Sequence, residues 1–206
     1  MSARDKLLLS TIDLIRRHGV AGTGISAILE SGRVARRSLY LNFPGGKTEL
    51  VVEATQLAGT YIDHQIAAAL QLPTPQESLA AFIAEWKRVV SDSDFAAGCP
   101  IAAAGLARTS EPEIADAAGV TFTRWRDAIS ASLRHHGLSA ETAQALANTV
   151  LAAVEGAVVM AIAQRTLQPL ADVEEQLTVL LDCYLEHPAR PRRRRTSAGN
   201  GSDLIR

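Results

Sequence analysis

Apolar residues recur every three or four positions along almost the whole chain of 206 residues, and no stretch alternates between apolar and polar residues. This spacing places the apolar residues on one face of an α-helix, whereas a half-buried strand needs a period of two. Glycine and proline punctuate the periodic segments, first at Gly19, Gly32 and residues 44–46 and later at Pro73 and Pro75. The sequence therefore predicts an all-α fold.

The cysteines and histidines give no sign of a metal site, a cofactor or a catalytic centre. Cys99 and Cys183 lie far apart and have no Cys/His ligand spacing around them, which predicts two free thiols. The five histidines are scattered and form no evident nucleophile, base and orienting group. We expect no catalytic residue, no metal and no cofactor, and an enzyme is the rival class with the weaker support.

The distribution of apolar residues also argues against a membrane protein. The most apolar stretch, residues 149–163, is shorter than the roughly 20 residues of a membrane span and contains Glu155, which indicates a buried helix. The apolar run at residues 7–9 is too short for a signal peptide. We expect a cytoplasmic protein without a membrane partner.

Charge is distributed unevenly along the chain. Residues 1–50 carry eight Lys and Arg against four acids, residues 51–189 carry seven against seventeen, and the remainder carries six against one. A basic head on an acidic body predicts that only the head meets a polyanion. Residues 189–206 have too little apolar content to fold, so we expect a disordered, Arg-rich tail that adds salt-sensitive, sequence-independent affinity for phosphates.

Three short helices are predicted at the N-terminus, at about residues 3–18, 23–31 and 35–43. The turn between the second and third contains Gly32, which makes the pair a helix-turn-helix. In such a unit the last helix enters the DNA major groove. A basic face that only meets solvent is the alternative interpretation.

The third helix separates apolar from basic residues. Leu39 and Phe43 are four apart and form a buried stripe, while Arg37, Ser38 and Leu41 point the other way. Arginine, serine and leucine suit base edges, whereas tyrosine, asparagine and lysine suit phosphates. The predicted DNA-binding residues are Thr23, Arg36, Arg37, Ser38, Tyr40, Leu41, Asn42 and Lys47.

These residues carry a family resemblance. Leu39-Tyr40, Phe43 and the segment 47–50 match an L-Y-x-x-F and K-x-x-L core, so residues 7–50 resemble the DNA-binding domain of the TetR family of bacterial regulators. The segment 44–47, together with Gly98-Cys99-Pro100, is similar to the LmrA/YxaF-like branch. Two departures stand out: Ala35 replaces the usual serine cap, and Arg37 stands where relatives often have glycine.

The resemblance implies a helical C-terminal domain that binds a small molecule and dimerises through its last two helices, near residues 139–165 and 172–186. The near-uniform apolarity of residues 147–163 is independently consistent with such an interface. We expect a pocket for a mostly apolar effector, lined by Phe82, Trp86, Phe95, Cys99, Phe122 and Trp125. Ordinary core packing is the alternative role for these side chains.

The sequence thus predicts three parts: a helix-turn-helix domain at 1–46, a regulatory and dimerisation domain at 47–188, and the tail at 189–206. The predicted function is a homodimeric repressor that a small, mostly apolar molecule releases from a near-palindromic operator in double-stranded DNA. A regulator that acts without a ligand, or an activator, is the alternative.

Overall fold

The computed structural model describes residues 1–186, and within that range it contains nine α-helices and no strand, which confirms the all-α prediction. The predicted tail at 189–206 lies outside the described residues. The helices are α1 (Ala3–His18), α2 (Ile25–Gly32), α3 (Arg36–Asn42), α4 (Gly46–Ala69), α5 (Pro75–Asp92), α6 (Pro100–Gly105), α7 (Pro112–His135), α8 (Ala140–Gln164) and α9 (Gln168–Glu186).

Local signals account for most of the helix ends. Ser2 and Asp5 form a capping box at the start of α1, and Gly19 ends that helix at a φ of 68°. The start of α9 was predicted near residue 172 but lies at Gln168, because Pro169 suits the first turn of a helix and is buried together with Leu170. The short α6 ends at Gly105, earlier than its apolar run suggests.

Two hydrophobic clusters organise the chain. The smaller one belongs to the head and consists of Leu7, Leu8, Ile28, Leu39, Phe43, Leu50 and Ala54. The larger one fills the body and includes residues from α4 to α9. Since Leu50 and Ala54 belong to α4, the first turns of this helix pack with the head although the helix continues into the body.

The long helix α4 packs closely against α7. A side chain on Gly59 of α4 would come within 2.9 Å of the Thr121 methyl carbon, so this crossing depends on the missing side chain. Two further contacts hold the helices together: the Trp125 indole N–H donates to Asp63 Oδ1 at 2.7 Å, and Arg124 pairs with Asp63 Oδ2 at 3.0 Å. Helix α4 is therefore fixed to the body along its middle and to the head at its start.

Helix α8 is long and apolar enough to cross a membrane by length and composition alone, and 44% of its most apolar window is buried in this fold. It packs between α7 and α9. Its remaining surface carries the exposed side chains of Val159 and Met160. The helix is thus covered on one side and leaves an apolar strip on the other.

Candidate DNA-binding surface and ligand cavity

Helix α3 is fixed to the head by its apolar stripe. Leu39 and Phe43 are fully buried in the head cluster, as their four-residue spacing predicts. The turn before the helix is tight, with Arg33 at a φ of 50°, and a side chain on Gly32 would come within 3.0 Å of Ser10 Oγ on α1. No side chain caps the start of α3 at Ala35, as expected from the missing serine.

The outer face of α3 is basic and exposed. Arg36, Arg37, Tyr40 and Leu41 all face solvent, and 70% of Leu41 is accessible. Within residues 1–186, no carboxylate lies within ion-pair distance of Arg36 or Arg37, whereas Arg17 on α1 pairs with Asp13. The α3 arginines are consequently free to pair with an external polyanion.

Four of the predicted DNA-binding residues are less accessible. Ser38 and Asn42 are half-buried, and the Asn42 amide donates to the Ser38 carbonyl at 2.7 Å. Lys47 Nζ donates to the Val20 carbonyl at 3.3 Å. Thr23 is fully buried and its hydroxyl donates to the Gly19 carbonyl at 2.7 Å, so this side chain braces the turn before α2 and has no surface to offer DNA. We therefore withdraw Thr23 from the set.

A cavity of about 280 Å³ lies where the head meets the body. Its walls come from α1, α4 and α5 and from the first residue of α6. They are mostly apolar and aromatic: Leu9, Ile12, Leu57, Ala58, Tyr61, Ile62, Phe82, Trp86, Val89 and Pro100. The three polar residues that line the cavity are Arg16, Gln65 and Glu85. Both charged ones are engaged, Arg16 with the Gly98 carbonyl at 3.1 Å and Glu85 with Arg88 at 2.5 Å.

The aromatic residues predicted to share one pocket are divided among several places. Phe82 and Trp86 line the 280 Å³ cavity, whereas Phe122 lines an open cavity of about 390 Å³ between α7 and α8. Trp125, Phe95 and Cys99 line neither of these two cavities. Trp125 is buried against Asp63, the Phe95 ring lies under Arg165, and Cys99 caps α6. The side chains expected to line a single pocket are therefore divided, with Phe82 and Trp86 at one cavity and Phe122 at another.

The comparisons with known proteins agree along the chain. Residues 75–176 match the family model of the C-terminal domain of LmrA/YxaF-like transcriptional regulators. The uncharacterised HTH-type transcriptional regulator Rv0196 of Mycobacterium tuberculosis is 36% identical over 92% of this chain and 98% of its own length. This chain belongs to the TetR family.

The structural neighbours of this TetR-family protein show the same fold. The regulatory protein TetR from Rhodobacter sphaeroides matches with a TM-score of 0.79 at 21% identity, over 86% of this chain and 97% of that one. A cysteine mutant of the TetR-family regulator CifR, complexed with 26 bp of double-strand operator DNA, matches with a TM-score of 0.73 at 23% identity, over 85% and 94% of the two chains.

The family establishes the class of activity. This TetR-family protein is a DNA-binding transcriptional regulator of the LmrA/YxaF-like branch, and its relatives are regulators and not enzymes. The helix-turn-helix prediction and the predicted resemblance are thereby confirmed at this level. Its groups of acidic, histidine and cysteine side chains include no candidate metal site within residues 1–186.

The sequence did not point to the head–body cavity of this regulator. Its mouth includes Leu9, Leu57 and Tyr61, which are large apolar residues on otherwise polar faces of α1 and α4. Each is at least 42% exposed, so packing in the core does not explain why a large apolar side chain occupies its position. Apolar residues that interrupt the polar face of two helices are the signal that a search for aromatic clusters overlooks.

Replacing Arg37 with alanine is expected to weaken binding to the cognate operator by about 1–3 kcal/mol, because an arginine that contacts a guanine edge supplies two hydrogen bonds. Fluorescence anisotropy at fixed salt, with sites selected from random DNA, measures this. Arg108→Ala is the matched control, since Arg108 is an exposed arginine of the body that pairs with Asp116. Equal affinities of wild type and Arg37→Ala for cognate DNA would show that another surface contacts the bases.

Proposed function

We propose that this regulator is a homodimeric repressor that a small, neutral, mostly apolar molecule releases from a near-palindromic operator. The head, residues 1–46, binds DNA through the exposed face of α3, and the body, residues 47–188, binds the effector and dimerises. Arg36, Arg37, Tyr40 and Leu41 contact the operator most directly. Ser38, Asn42 and Lys47 contact it after modest side-chain rearrangement. The protein works in the cytoplasm, where the DNA is accessible.

The exposed faces of the last two helices support the dimer. Val159 and Met160 on α8 and Val179 on α9 are each at least half exposed, although large apolar side chains are usually covered. The exposed small residues Ala152 and Gly156 lie two turns and one turn before Val159 on α8, and they permit close approach of a second helix. A two-fold dimer would bury both strips and place two α3 helices on successive turns of DNA, about 34 Å apart.

The 280 Å³ cavity is the observation that carries the proposal of ligand control. Its volume is close to the lower end of typical small-molecule sites, and its walls are predominantly apolar and include the aromatic side chains of Tyr61, Phe82 and Trp86. A charged ligand would lose most of its hydration on entering, because the walls are almost all apolar, Glu85 already pairs with Arg88, and Arg16 donates its Nε to the Gly98 carbonyl. The chemistry of the walls therefore favours an uncharged aromatic or aliphatic effector.

The position of the cavity supports release from DNA. Leu9, Ile12 and Arg16 belong to α1 of the head, and the other walls belong to α4 and the body. An occupant that spreads these walls changes how the head is oriented relative to the dimer helices. The effector must bind the DNA-incompetent arrangement more tightly, because a ligand with equal affinity for both arrangements shifts no equilibrium.

A library of uncharged aromatic compounds tests the proposal. We expect some of them to quench the Trp86 emission and to weaken operator binding by about 5- to 150-fold, the usual range of coupled sites, while operator DNA lowers their affinity by the same factor. Trp86→Phe should remove the quenching and keep the effect on DNA.

In a reporter strain, an effector of a repressor raises transcription. If every compound left operator affinity unchanged, regulation without a ligand would be the better description, and lowered transcription would indicate an activator.

A further inference from the structure

The Gly98-Cys99-Pro100 segment joins three elements at one point. It connects α5 to α6, and Gly98 forms two hydrogen bonds with a single residue of α1. The Arg16 guanidinium Nε donates to the Gly98 carbonyl at 3.1 Å, and the Gly98 N–H donates to the Arg16 carbonyl at 3.0 Å. We call this pair of bonds the Arg16–Gly98 tie. It connects the last turn of a head helix to the body.

Gly98 also rests on α8. A side-chain carbon built on Gly98 would lie 3.2 Å from the Ile162 Cδ1 atom and 3.8 Å from the Val158 Cγ1 atom. The absence of a side chain thus lets this segment touch α1 on one side and α8 on the other. Because α8 carries the exposed apolar strip of the proposed dimer, the tie links the head directly to the helix that sets the distance between subunits.

One end of the tie lines the 280 Å³ cavity, and the other end lies two residues from a wall of it. Arg16 is one of its walls, on the same face of α1 as Leu9 and Ile12, and Pro100 forms a wall two residues after Gly98. The Arg16 side chain therefore meets the cavity and the body at once. An occupant that moves Arg16 changes the geometry of the tie, whereas the head's contacts through α4 can stay as they are.

Other polar contacts are placed less favourably for this role. Arg4 pairs with Glu53, which joins α1 to α4 but does not reach the rest of the body. Thr48 and Glu111 are 3.3 Å apart and join α4 to the start of α7, away from the cavity walls. The Arg16–Gly98 tie touches α1, the cavity and α8 together.

We propose that Arg16 is the positioning residue that couples occupancy of the cavity to the DNA-binding head, through the Arg16–Gly98 tie to α8. This inference rests on the proposed function of the cavity and adds the route by which it acts. A neutral, apolar occupant displaces the Arg16 side chain and breaks the side-chain bond of the tie, while the main-chain bond from the Gly98 N–H remains, and α1 rotates relative to α8. The two α3 helices of the dimer then leave the spacing that the operator requires.

The experiment compares Arg16→Met with Arg17→Met. Methionine keeps an unbranched apolar stem but cannot donate to Gly98. Arg17 is the neighbouring arginine on the same helix, and within residues 1–186 it pairs only with exposed Asp13. The probe is N-phenyl-1-naphthylamine, a neutral aromatic amine whose fluorescence rises in apolar sites. Full-length protein is used throughout, with circular dichroism to check folding, and affinity for selected DNA sites is measured with and without saturating probe.

We expect the probe to weaken DNA binding of the wild type and of Arg17→Met by at least about 5-fold. Arg16→Met should bind the probe with an affinity within about 3-fold of the wild type, and its DNA affinity should change by less than about 2-fold when the probe is added. Arg16→Lys retains a donor at the end of the side chain and is expected to recover part of the coupling. If Arg16→Met does not fold, the partial coupling of Arg16→Lys still tests the role of Arg16.

The outcomes separate the two proposals. A probe that fails to bind the wild type, or binds without changing its DNA affinity, would refute the proposed function of the cavity. If the wild type responded and Arg16→Met responded equally, the cavity would stand and the role of Arg16 would be overturned. Loss of probe binding in Arg16→Met would also overturn it, because Arg16 would then be only a wall of the cavity.

Discussion

Replacing Leu39 with alanine is expected to lower the free energy of unfolding of the head by about 2–5 kcal/mol, the usual cost of removing a buried leucine side chain. Leu39 is fully buried in the head cluster together with six other residues. In so small a cluster, the neighbouring side chains cannot fill the space that the leucine side chain leaves. Because this cluster is small, α3 should lose its fixed orientation before the body unfolds. DNA binding should then be lost together with head stability.

Leu41→Ala is the matched control, since it is the same substitution two residues further along the same helix. Leu41 is 70% exposed, so its removal is expected to change stability by no more than about 0.5 kcal/mol. Urea denaturation and hydrogen exchange of the α1–α3 amides measure both variants. Similar losses of stability in the two variants would mean that α3 does not pack through its Leu39 face.

Helix α3 illustrates what the sequence determines by itself. Its inner and outer faces follow from the four-residue spacing of Leu39 and Phe43, because residues four apart share one side of a helix. The helix boundaries of the head follow from glycines and caps for the same local reason. The prediction of exposed Arg37 and Leu41 required no knowledge of the rest of the fold.

Side chains outside α3 were harder to place because distant segments decide their environment. Lys47 reaches the Val20 carbonyl, which lies 27 residues away in the sequence, and Thr23 is covered by the packing of the head. Neither contact leaves a local pattern. Thr23 stabilises the turn before α2, and its place in the sequence gave no information about its access to DNA.

The lining of the cavity could not be derived from the sequence for a different physical reason. Aromatic residues cluster in cores and in ligand sites alike, so their presence in α5 and α7 did not distinguish the two. Phe82 and Trp86 are one turn apart on α5, and Phe122 and Trp125 are close together on α7, so each pair packs within its own helix. The 280 Å³ cavity beside Phe82 and Trp86 exists because α1, α4 and α5 meet there, and this arrangement of distant segments leaves no local pattern in the sequence.

Glu155 is the least expected ionisable group of the body. It lies in the middle of the apolar helix α8 beside the buried Cys99 thiol, and it borders the open 390 Å³ cavity with Arg126 and Asn148. Within residues 1–186 no basic side chain lies within ion-pair distance of it, and Arg126, which lines the same cavity, pairs with Asp127. Burial raises the pKa of Glu155 to about 7, and the hydrogen bond from Cys99 opposes this rise only in part. Burial, assisted by Glu155, raises the pKa of the Cys99 thiol as well.

The pKa of Glu155 makes the stability of the body depend on pH. Below the ordinary glutamate pKa of 4.5 the carboxyl is protonated in both the folded and the unfolded chain. Between 4.5 and about 7 the unfolded chain releases the proton while the folded chain retains it, so stability falls as pH rises, by up to about 1.4 kcal/mol per pH unit. Above that range both states are ionised and the loss is complete. Since the carboxyl borders an open cavity where water screens it, we expect a total loss of about 1–3 kcal/mol.

Glu155→Gln is therefore expected to stabilise the protein by about 1–3 kcal/mol at pH 8 and to leave its stability nearly unchanged at pH 4.5, because glutamine resembles the protonated carboxyl and does not ionise. Urea denaturation between pH 4.5 and 8, at one protein concentration so that association contributes equally, measures the difference. Glu141→Gln removes the same charge from an exposed position of α8 and should follow the wild-type pH dependence. If Glu155→Gln lost stability with pH as steeply as the wild type, the proton retained in the folded state would have to reside on another group.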